Sequence, residues 1–170
     1  MLLEFRSMSE EECRRLVRDI YPEGCVENAR YFHPELEDLT EAILEEENRF
    51  VEFLLNKFFP KEENSYYVLE VNGEWVSALR LSRVDDFYYL ESLETPPEQR
   101  KKGYGSRIVN EVIALLKQRG SVIIRDNVKK DNWASLATHK KCGFVTEHEN
   151  AINYLTGKEN EEAVGLIFRG

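Results

Sequence analysis

The chain has 170 residues, and its 42% apolar and 32% charged residues are typical of a globular protein, which predicts one domain over residues 1–170. The net charge of −9 lies entirely in residues 1–63, which hold 17 acidic and 8 basic residues, whereas residues 64–170 hold 15 of each. This distribution argues against a nucleic-acid partner, which needs a basic face. It agrees with a cationic ligand approaching the N-terminal third, although solvated helix faces would give the same count.

The cysteines and the N-terminus bear on compartment and chemistry. Cys13, Cys25 and Cys142 form an odd, irregularly spaced set without a CxxC pair, which predicts reduced thiols and no structural metal. Charged residues at positions 4 and 6 come too early for a signal peptide, and no apolar run is long enough to span a bilayer. We therefore expect a cytoplasmic protein without a membrane partner.

The first 63 residues are predicted to be mainly helical after a short strand over residues 2–6. Ser9 and Glu12 have the spacing of a capping box, which starts a helix predicted to end near residue 20, before Pro22. Apolar residues at three- and four-residue steps predict a second helix over about residues 34–59, which Pro60 ends. The segment YPEGCVENARYFHPELED is interpreted as the connection between the two helices.

After residue 64 the periodicity changes to that of strands. Residues 65–81 alternate on both sides of Asn72-Gly73, a dipeptide that suits a tight hairpin, and a third strand follows over residues 87–95. Next come a helix over about residues 106–119, a strand over 121–128, a short helix over 132–142, and closing strands over 144–148 and 162–168. The order β-α-α-β-β-β-α-β-α-β-β predicts an α/β (mixed α+β) fold, with a mixed, mostly antiparallel sheet of about six or seven strands flanked by helices.

The segment QRKKGYGSRIV, residues 99–109, places two glycines and three cations at the start of a helix. The first turn of a helix offers backbone N–H groups without internal partners, and glycine lets a loop approach a ligand closely. Gly103 and Gly105, behind Arg100, Lys101 and Lys102, therefore predict a pyrophosphate cradle. A simple turn with solvated lysines would show a similar pattern. The segment fits neither the P-loop, which needs Lys-Ser/Thr after its last glycine, nor the dinucleotide fingerprint, which needs a third small residue.

Two motifs together resemble a known family. Arg100-x-x-Gly103-x-Gly105, after a strand and before an apolar helix, resembles the acetyl-CoA loop of the GNAT superfamily of N-acetyltransferases. The segment NWASLATHKKCGF resembles a second GNAT block, in which Asn132 and Ser135 fit the usual pattern and His139 stands where the family usually has tyrosine. The motifs lie within residues 88–144, and the order of elements agrees over residues 1–168.

The resemblance implies a site for acetyl-CoA as co-substrate, without a metal. Pantetheine would lie between the strand ending near Thr95 and the strand over 121–128, against the backbone of Leu93, Glu94 and Thr95. A backbone N–H near Leu93 or Glu94 would stabilise the oxyanion during direct attack by an amine in a ternary complex. The pyrophosphate would be held by a loop whose members are Arg100, Lys101, Lys102, Gly103, Tyr104, Gly105 and Ser106.

The same resemblance suggests two catalytic residues. Glu91 and Glu94 are the two candidates for the base. Glu91 matches a position that is often acidic in the family, so we expect it to act, through water; a solvated carboxylate is the alternative for either residue. His139 would protonate the departing thiolate, and the alternative is a solvated or core histidine. Asn132, Ser135 and His139 share one helical face, so Asn132 is either a pantetheine contact or a helix cap.

The function expected from this resemblance is acetyl transfer to a primary amine of a small molecule or protein, with a cationic acceptor suggested by the acidic N-terminal third. Two alternatives stay open: a GNAT-fold domain that binds acyl-CoA without turnover, and transfer of another acyl group such as succinyl. The sequence leaves open whether the protein is a monomer or a homodimer.

Overall fold

The computed structural model describes residues 1–170, which form nine strands and five helices. The N-terminal part contains β1 (Leu2–Phe5), α1 (Glu10–Ile20), α2 (Pro22–Phe32) and α3 (Thr40–Phe53), which continues into a π-helical turn, Leu54–Phe58. The central part contains β2 (Asn64–Val71), β3 (Glu74–Val84), β4 (Phe87–Glu94), a 3-10 turn (Pro97–Gln99) and α4 (Tyr104–Lys117). The C-terminal part contains β5 (Ile123–Lys129), α5 (Trp133–Lys141), β6 (Val145–His148), β7 (Ala151–Ile152), β8 (Glu159–Asn160) and β9 (Ala163–Arg169).

Seven strands form one sheet in the order β1-β2-β3-β4-β5-β9-β6. All neighbours in it are antiparallel except β4 and β5, which pair in parallel. This confirms the predicted mixed, mostly antiparallel sheet. The β2–β3 hairpin is also confirmed, because Asn72 and Gly73 have φ angles of 53° and 82°, as a tight hairpin turn requires.

The helical N-terminal part differs from the prediction in one respect. Residues 22–32 form helix α2, where the sequence had suggested a connection, and the next helix starts only at Thr40. Pro22 occupies the first turn of α2, where its missing N–H costs nothing. Burial of Cys25 and Ala29, four residues apart on one face, stabilises the helix despite Gly24. The short β7–β8 hairpin was not predicted either, since two-residue strands carry no periodicity.

The sheet separates two apolar clusters because successive residues of a strand point to opposite faces. Tyr67 and Leu69 of β2 pack with α4 in one cluster, whereas Tyr66 and Val68 pack with α1 and the α3 region in the other. We call these the α4–α5 face and the α1–α3 face. None of the helices combines the length and apolar composition that a bilayer-spanning helix requires.

Candidate functional site

Strands β4 and β5 separate at the centre of the sheet. Their pairing ends at Leu90 and Asp126, although β4 continues to Glu94 and β5 to Lys129. The separation coincides with a β-bulge in β4, where the register to β3 shifts and Ser92 has a φ angle of 55°. The sheet is therefore open between the two strand ends, where pantetheine is expected from the sequence.

Two buried tyrosines hold the bulge. The Tyr21 hydroxyl donates a hydrogen bond to the Ser92 carbonyl at 2.7 Å, and the Tyr66 hydroxyl donates to Tyr21, also at 2.7 Å. Burial raises the pKa of Tyr21 well above its ordinary value, so this hydroxyl keeps its proton and remains a donor. The direction of the Ser92 peptide, and with it the course of residues 93–95, is thereby fixed from the α1–α3 face.

The loop before α4 presents unpaired backbone donors. None of the six N–H groups of residues 101–106 donates a hydrogen bond within the protein. Gly103, with a φ angle of 81°, turns the chain into α4, whose first residue is Tyr104. Because these N–H groups lie at the positive end of the helix dipole, the loop is suited to an anion.

The loop lies at the mouth of the opening. A methyl group added at Gly105 would lie 3.5 Å from Thr95 Oγ1, at the end of β4, and 3.8 Å from Thr138 Cγ2 in α5. The Cys142 thiol, just after α5, lies 3.5 Å from the Ser106 carbonyl. The structure therefore brings the loop, the end of β4 and α5 to one place.

The side chains of the loop differ in what they contact. Arg100 turns away from the N–H groups: its guanidinium pairs with Glu23 in α2, with Glu94 at 3.1 Å, and with the Thr95 carbonyl at 2.9 Å. Lys102 donates to the Gln99 side chain at 2.9 Å, and Ser106 donates to the Gly103 carbonyl at 3.0 Å. Lys101 is exposed and makes no such bond. Arg100 therefore ties α2 and β4 to the loop, and Lys101 is the cation left free.

His139 is buried in an ion pair. Only 1% of its side chain is exposed; its Nε2 lies 2.7 Å from Asp126 Oδ2, and its Nδ1 lies 2.8 Å from the Ser135 carbonyl. Burial lowers the pKa of His139, but the Asp126 carboxylate and the Ser135 carbonyl more than offset this, and the pKa is raised. His139 Nδ1 is hydrogen-bonded to the Ser135 carbonyl, and Nε2 is in ion-pair contact with Asp126 without the geometry of a hydrogen bond, so both nitrogens face protein oxygens.

Asn132 is the cap of α5. Its Oδ1 accepts a hydrogen bond from the Ser135 backbone N–H at 3.1 Å, and the residue is exposed. Ser135 is half-buried, and its hydroxyl lies 3.4 Å from His139 Nδ1. The start of α5 is thus organised by its own side chains.

Glu91 lies on the α1–α3 face, beside Arg80. The two residues are cross-strand partners, and Glu91 Oε1 is 3.5 Å from Arg80 Nη2. Their side chains are 17% and 16% exposed, and both line a cavity of about 550 Å³ next to the π-helical turn. Glu94, the other carboxylate of β4, instead pairs with Arg100. Glu91 is therefore the β4 carboxylate open to a cavity.

Three residues of this region escaped the sequence analysis: Tyr21, Arg80 and Asp126. Arg80 and Asp126 had a signal, because each is a charged residue inside an apolar strand, where charge is rarely buried without a partner. Tyr21 had none, because its importance arises from contact with Ser92, 71 positions further along the chain.

Comparison with known proteins bears on the family and the fold. A model of the acetyltransferase (GNAT) family matches residues 19–144. An uncharacterized N-acetyltransferase of Methanocaldococcus jannaschii is 26% identical over 94 residues, which cover 49% of this chain and only 40% of the relative's length. The PaiA N-acetyltransferase of Thermoplasma acidophilum, solved in complex with coenzyme A, matches with a TM-score of 0.63 at 14% identity, over 100% of this chain and 99% of that chain. The ribosomal-protein-S18-alanine N-acetyltransferase of Escherichia coli matches with a TM-score of 0.61 at 17% identity, over 99% and 94% of the two chains.

Proposed function

The chain belongs to the acetyltransferase (GNAT) family, and from this premise we propose that it transfers an acetyl group from acetyl-CoA to a primary amine. The observation that carries the proposal is the row of unpaired N–H groups at residues 101–106, beside the opening between β4 and β5. These donors suit a diphosphate, and the adjacent opening suits an extended pantetheine chain that carries a thioester toward β4.

The transfer proposed is a direct one. The amine nitrogen attacks the thioester carbonyl, a C–N bond forms, and the C–S bond breaks as the thiolate leaves. Backbone N–H groups of Leu93 or Glu94, beyond the bulge, would stabilise the oxyanion. Glu91, open to the cavity on the α1–α3 face, would take the amine proton through water. His139 is engaged with Asp126, and since a thiol has a pKa of about 8.5, the departing thiolate takes its proton from the solution at neutral pH.

The acceptor amine would arrive as an ammonium ion, because amines with a pKa near ~10 are protonated at neutral pH. The acidic N-terminal third would favour the approach of such a cation. We expect the apparent affinity for the acceptor to fall as salt rises, which steady-state kinetics at several ionic strengths would measure.

A second function has one observation in its favour. Both imidazole nitrogens of His139 are buried against protein oxygens, at the position where the family usually has tyrosine. A domain that binds acyl-CoA without turnover fits this arrangement. Calorimetry with coenzyme A and acetyl-CoA tests binding, and release of free thiol with a panel of amines tests turnover; succinyl-CoA in the same assay tests the acyl group.

A glycine pair sharpens the binding experiment. Gly103→Ala imposes a side chain on a φ angle of 81°, and Gly157→Ala does the same at 72° in the β7–β8 loop; both sites have open space around the added methyl. The strain is about 1–2 kcal/mol at either position. We expect Gly103→Ala alone to weaken coenzyme A binding, by about 10-fold. Equal binding by both variants would remove the loop from the proposal.

A further inference from the structure

Arg80 is a largely buried guanidinium without hydrogen bonds in the protein. It lies in β3 between Leu79 and Leu81, and its side chain is 16% exposed. Its Nε is fully buried and has no partner, and the nearest carboxylate, Glu91, is 3.5 Å from Nη2, too far for a good hydrogen bond. A guanidinium carries five N–H donors, and none of those of Arg80 has a hydrogen-bond partner in the protein, so the group is able to take an acceptor from outside the chain.

Aromatic rings hold the guanidinium in place. Its central carbon lies 5.0 Å from the centre of the Phe53 ring and 5.5 Å from that of Phe58. Such contacts engage the faces of the guanidinium and leave the N–H groups at its edges free. Arg80 is therefore placed by packing, with donors that suit a planar anion.

The cavity next to Arg80 is basic although the N-terminal third is acidic. The cavity of about 550 Å³ is lined by Lys57, Lys61 and Arg80, with Glu91 as the only acidic residue. A second cavity, of about 390 Å³, is also lined by Arg80, together with Arg49 and Glu46, which pair with each other at 2.7 Å. The acidic surplus of residues 1–63 thus lies mostly outside these cavities.

We propose that the acceptor is an amino carboxylate, whose carboxylate binds the edge of Arg80 while its amine faces Glu91; this rests on the proposed function. Arg80 and Glu91 are neighbours, so a single small molecule reaches both only if a few bonds separate its amine from its carboxylate. A carboxylate accepts two parallel N–H bonds from a guanidinium, and Lys57 and Lys61 add positive charge nearby. A ligand carboxylate also satisfies the donors that Glu91 leaves unpaired.

The test compares matched acceptors in the thiol-release assay with acetyl-CoA. β-Alanine is paired with propylamine, and lysine with cadaverine, so that each pair differs in the carboxylate. We expect kcat/KM to be about 10- to 100-fold higher for the better amino carboxylate than for its partner. 2-Aminoethylphosphonate is included to distinguish a carboxylate from a tetrahedral anion.

Variants assign the preference to Arg80. Arg80→Gln should reduce the ratio of kcat/KM between matched acceptors to about one, and Arg80→Lys should retain part of the wild-type ratio. Both variants should keep the affinity for coenzyme A. Arg83→Gln is the control, because Arg83 lies on the same strand but contacts Tyr88, outside the cavity; it should keep the full ratio.

The outcomes separate the two proposals. Three results would contradict an amino carboxylate acceptor and leave acetyl transfer standing. They are a wild-type ratio near one, a ratio in Arg80→Gln as high as in the wild type, and a clear preference for the phosphonate. If coenzyme A binds but no amine of either kind releases thiol, the proposed function fails, and this inference fails with it.

Discussion

The two sides of the opening offer different kinds of binding groups. On the α4–α5 face, the loop of residues 101–106 offers backbone N–H groups, while Lys102 and the preceding Arg100 bond to other residues of the protein. On the α1–α3 face, the cavity offers side chains, chiefly Arg80 and Glu91, which come from two different strands. The groups on the α4–α5 face depend on the path of the main chain, and we call it the main-chain side. The groups on the α1–α3 face depend on which side chains the sheet places together, and we call it the side-chain side.

This difference explains which ligand each side suits. Backbone donors at a helix start suit a diphosphate, and they need only a glycine at the turn and a helix behind it. Arg80 and Glu91 can be replaced without disturbing that loop, so the acceptor can change while the donor stays the same. We therefore expect substitutions on the two sides to separate coenzyme A binding from turnover.

Glu91→Gln should give the largest effect. Removing a general base lowers kcat by about 10²–10⁴-fold, whereas the coenzyme A affinity should stay unchanged because Glu91 lies on the opposite face. Turnover and calorimetry measure the two quantities. Glu94→Gln is the matched variant on the same strand: it loses the contact with Arg100 and should affect coenzyme A binding rather than the base. If Glu94→Gln abolishes turnover and Glu91→Gln does not, the two sides are not separable as described.

The structure of the main-chain side could be predicted from the sequence better than that of the side-chain side. Asn72-Gly73 and the two glycines of residues 103–105 act through local φ angles and a helix start, so their spacing suffices. Helix α2 was missed because Pro22 and Gly24 indicate a break unless the burial of Cys25 and Ala29 is known. Arg80 acquires its role only when Phe53, Phe58 and Glu91 surround it. The prediction could not include these features because they depend on contacts between residues that are distant in the sequence.

The Asp126–His139 pair consists of side chains but lies on the main-chain side, so its role tests the difference between the two sides. Asp126→Leu leaves a buried imidazolium unpaired, which should lower the free energy of unfolding by about 3–5 kcal/mol. The double variant Asp126→Leu/His139→Phe removes both charges and should lose less. The exposed pair Arg107–Glu111, at 2.7 Å, provides the control: Glu111→Gln should cost about 0.3–0.5 kcal/mol. Urea unfolding measures all three.

Turnover decides whether that pair is structural. If it only positions α5, His139→Phe keeps kcat at saturating acceptor. A large loss of kcat in a folded variant would show that His139 takes part in the reaction, and that the main-chain side also contributes a catalytic side chain.

The pH dependence of stability follows from the same pair. The folded pKa of His139 is raised above its unfolded value of about 6.5. The stabilisation is therefore fully present below pH ~6.5 and is lost as pH rises through the folded pKa, at up to about 1.4 kcal/mol per pH unit. Burial also raises the pKa of Asp126, so the reference is the double variant Asp126→Leu/His139→Phe, and urea unfolding of it and of the wild type from pH 5 to pH 9 gives the contribution of the pair as the difference between the two curves. Parallel curves would show that folding does not change the proton binding of the pair, and a difference that grows with pH below about 6.5 would show that His139 is neutral in the folded protein.

The smallest expected effect is the sharpest test of the main-chain side. If N–H groups hold the diphosphate, the exposed lysines of the loop add only screened attraction, and Lys101→Gln/Lys102→Gln should weaken coenzyme A binding by about two- to fivefold. That difference should shrink in 0.5 M salt, because exposed charges are screened there, whereas the loss caused by Gly103→Ala should persist. Calorimetry at two salt concentrations compares the variants directly. A loss in the lysine variant larger than that in Gly103→Ala would mean that side chains bind the ligand on both sides of the opening.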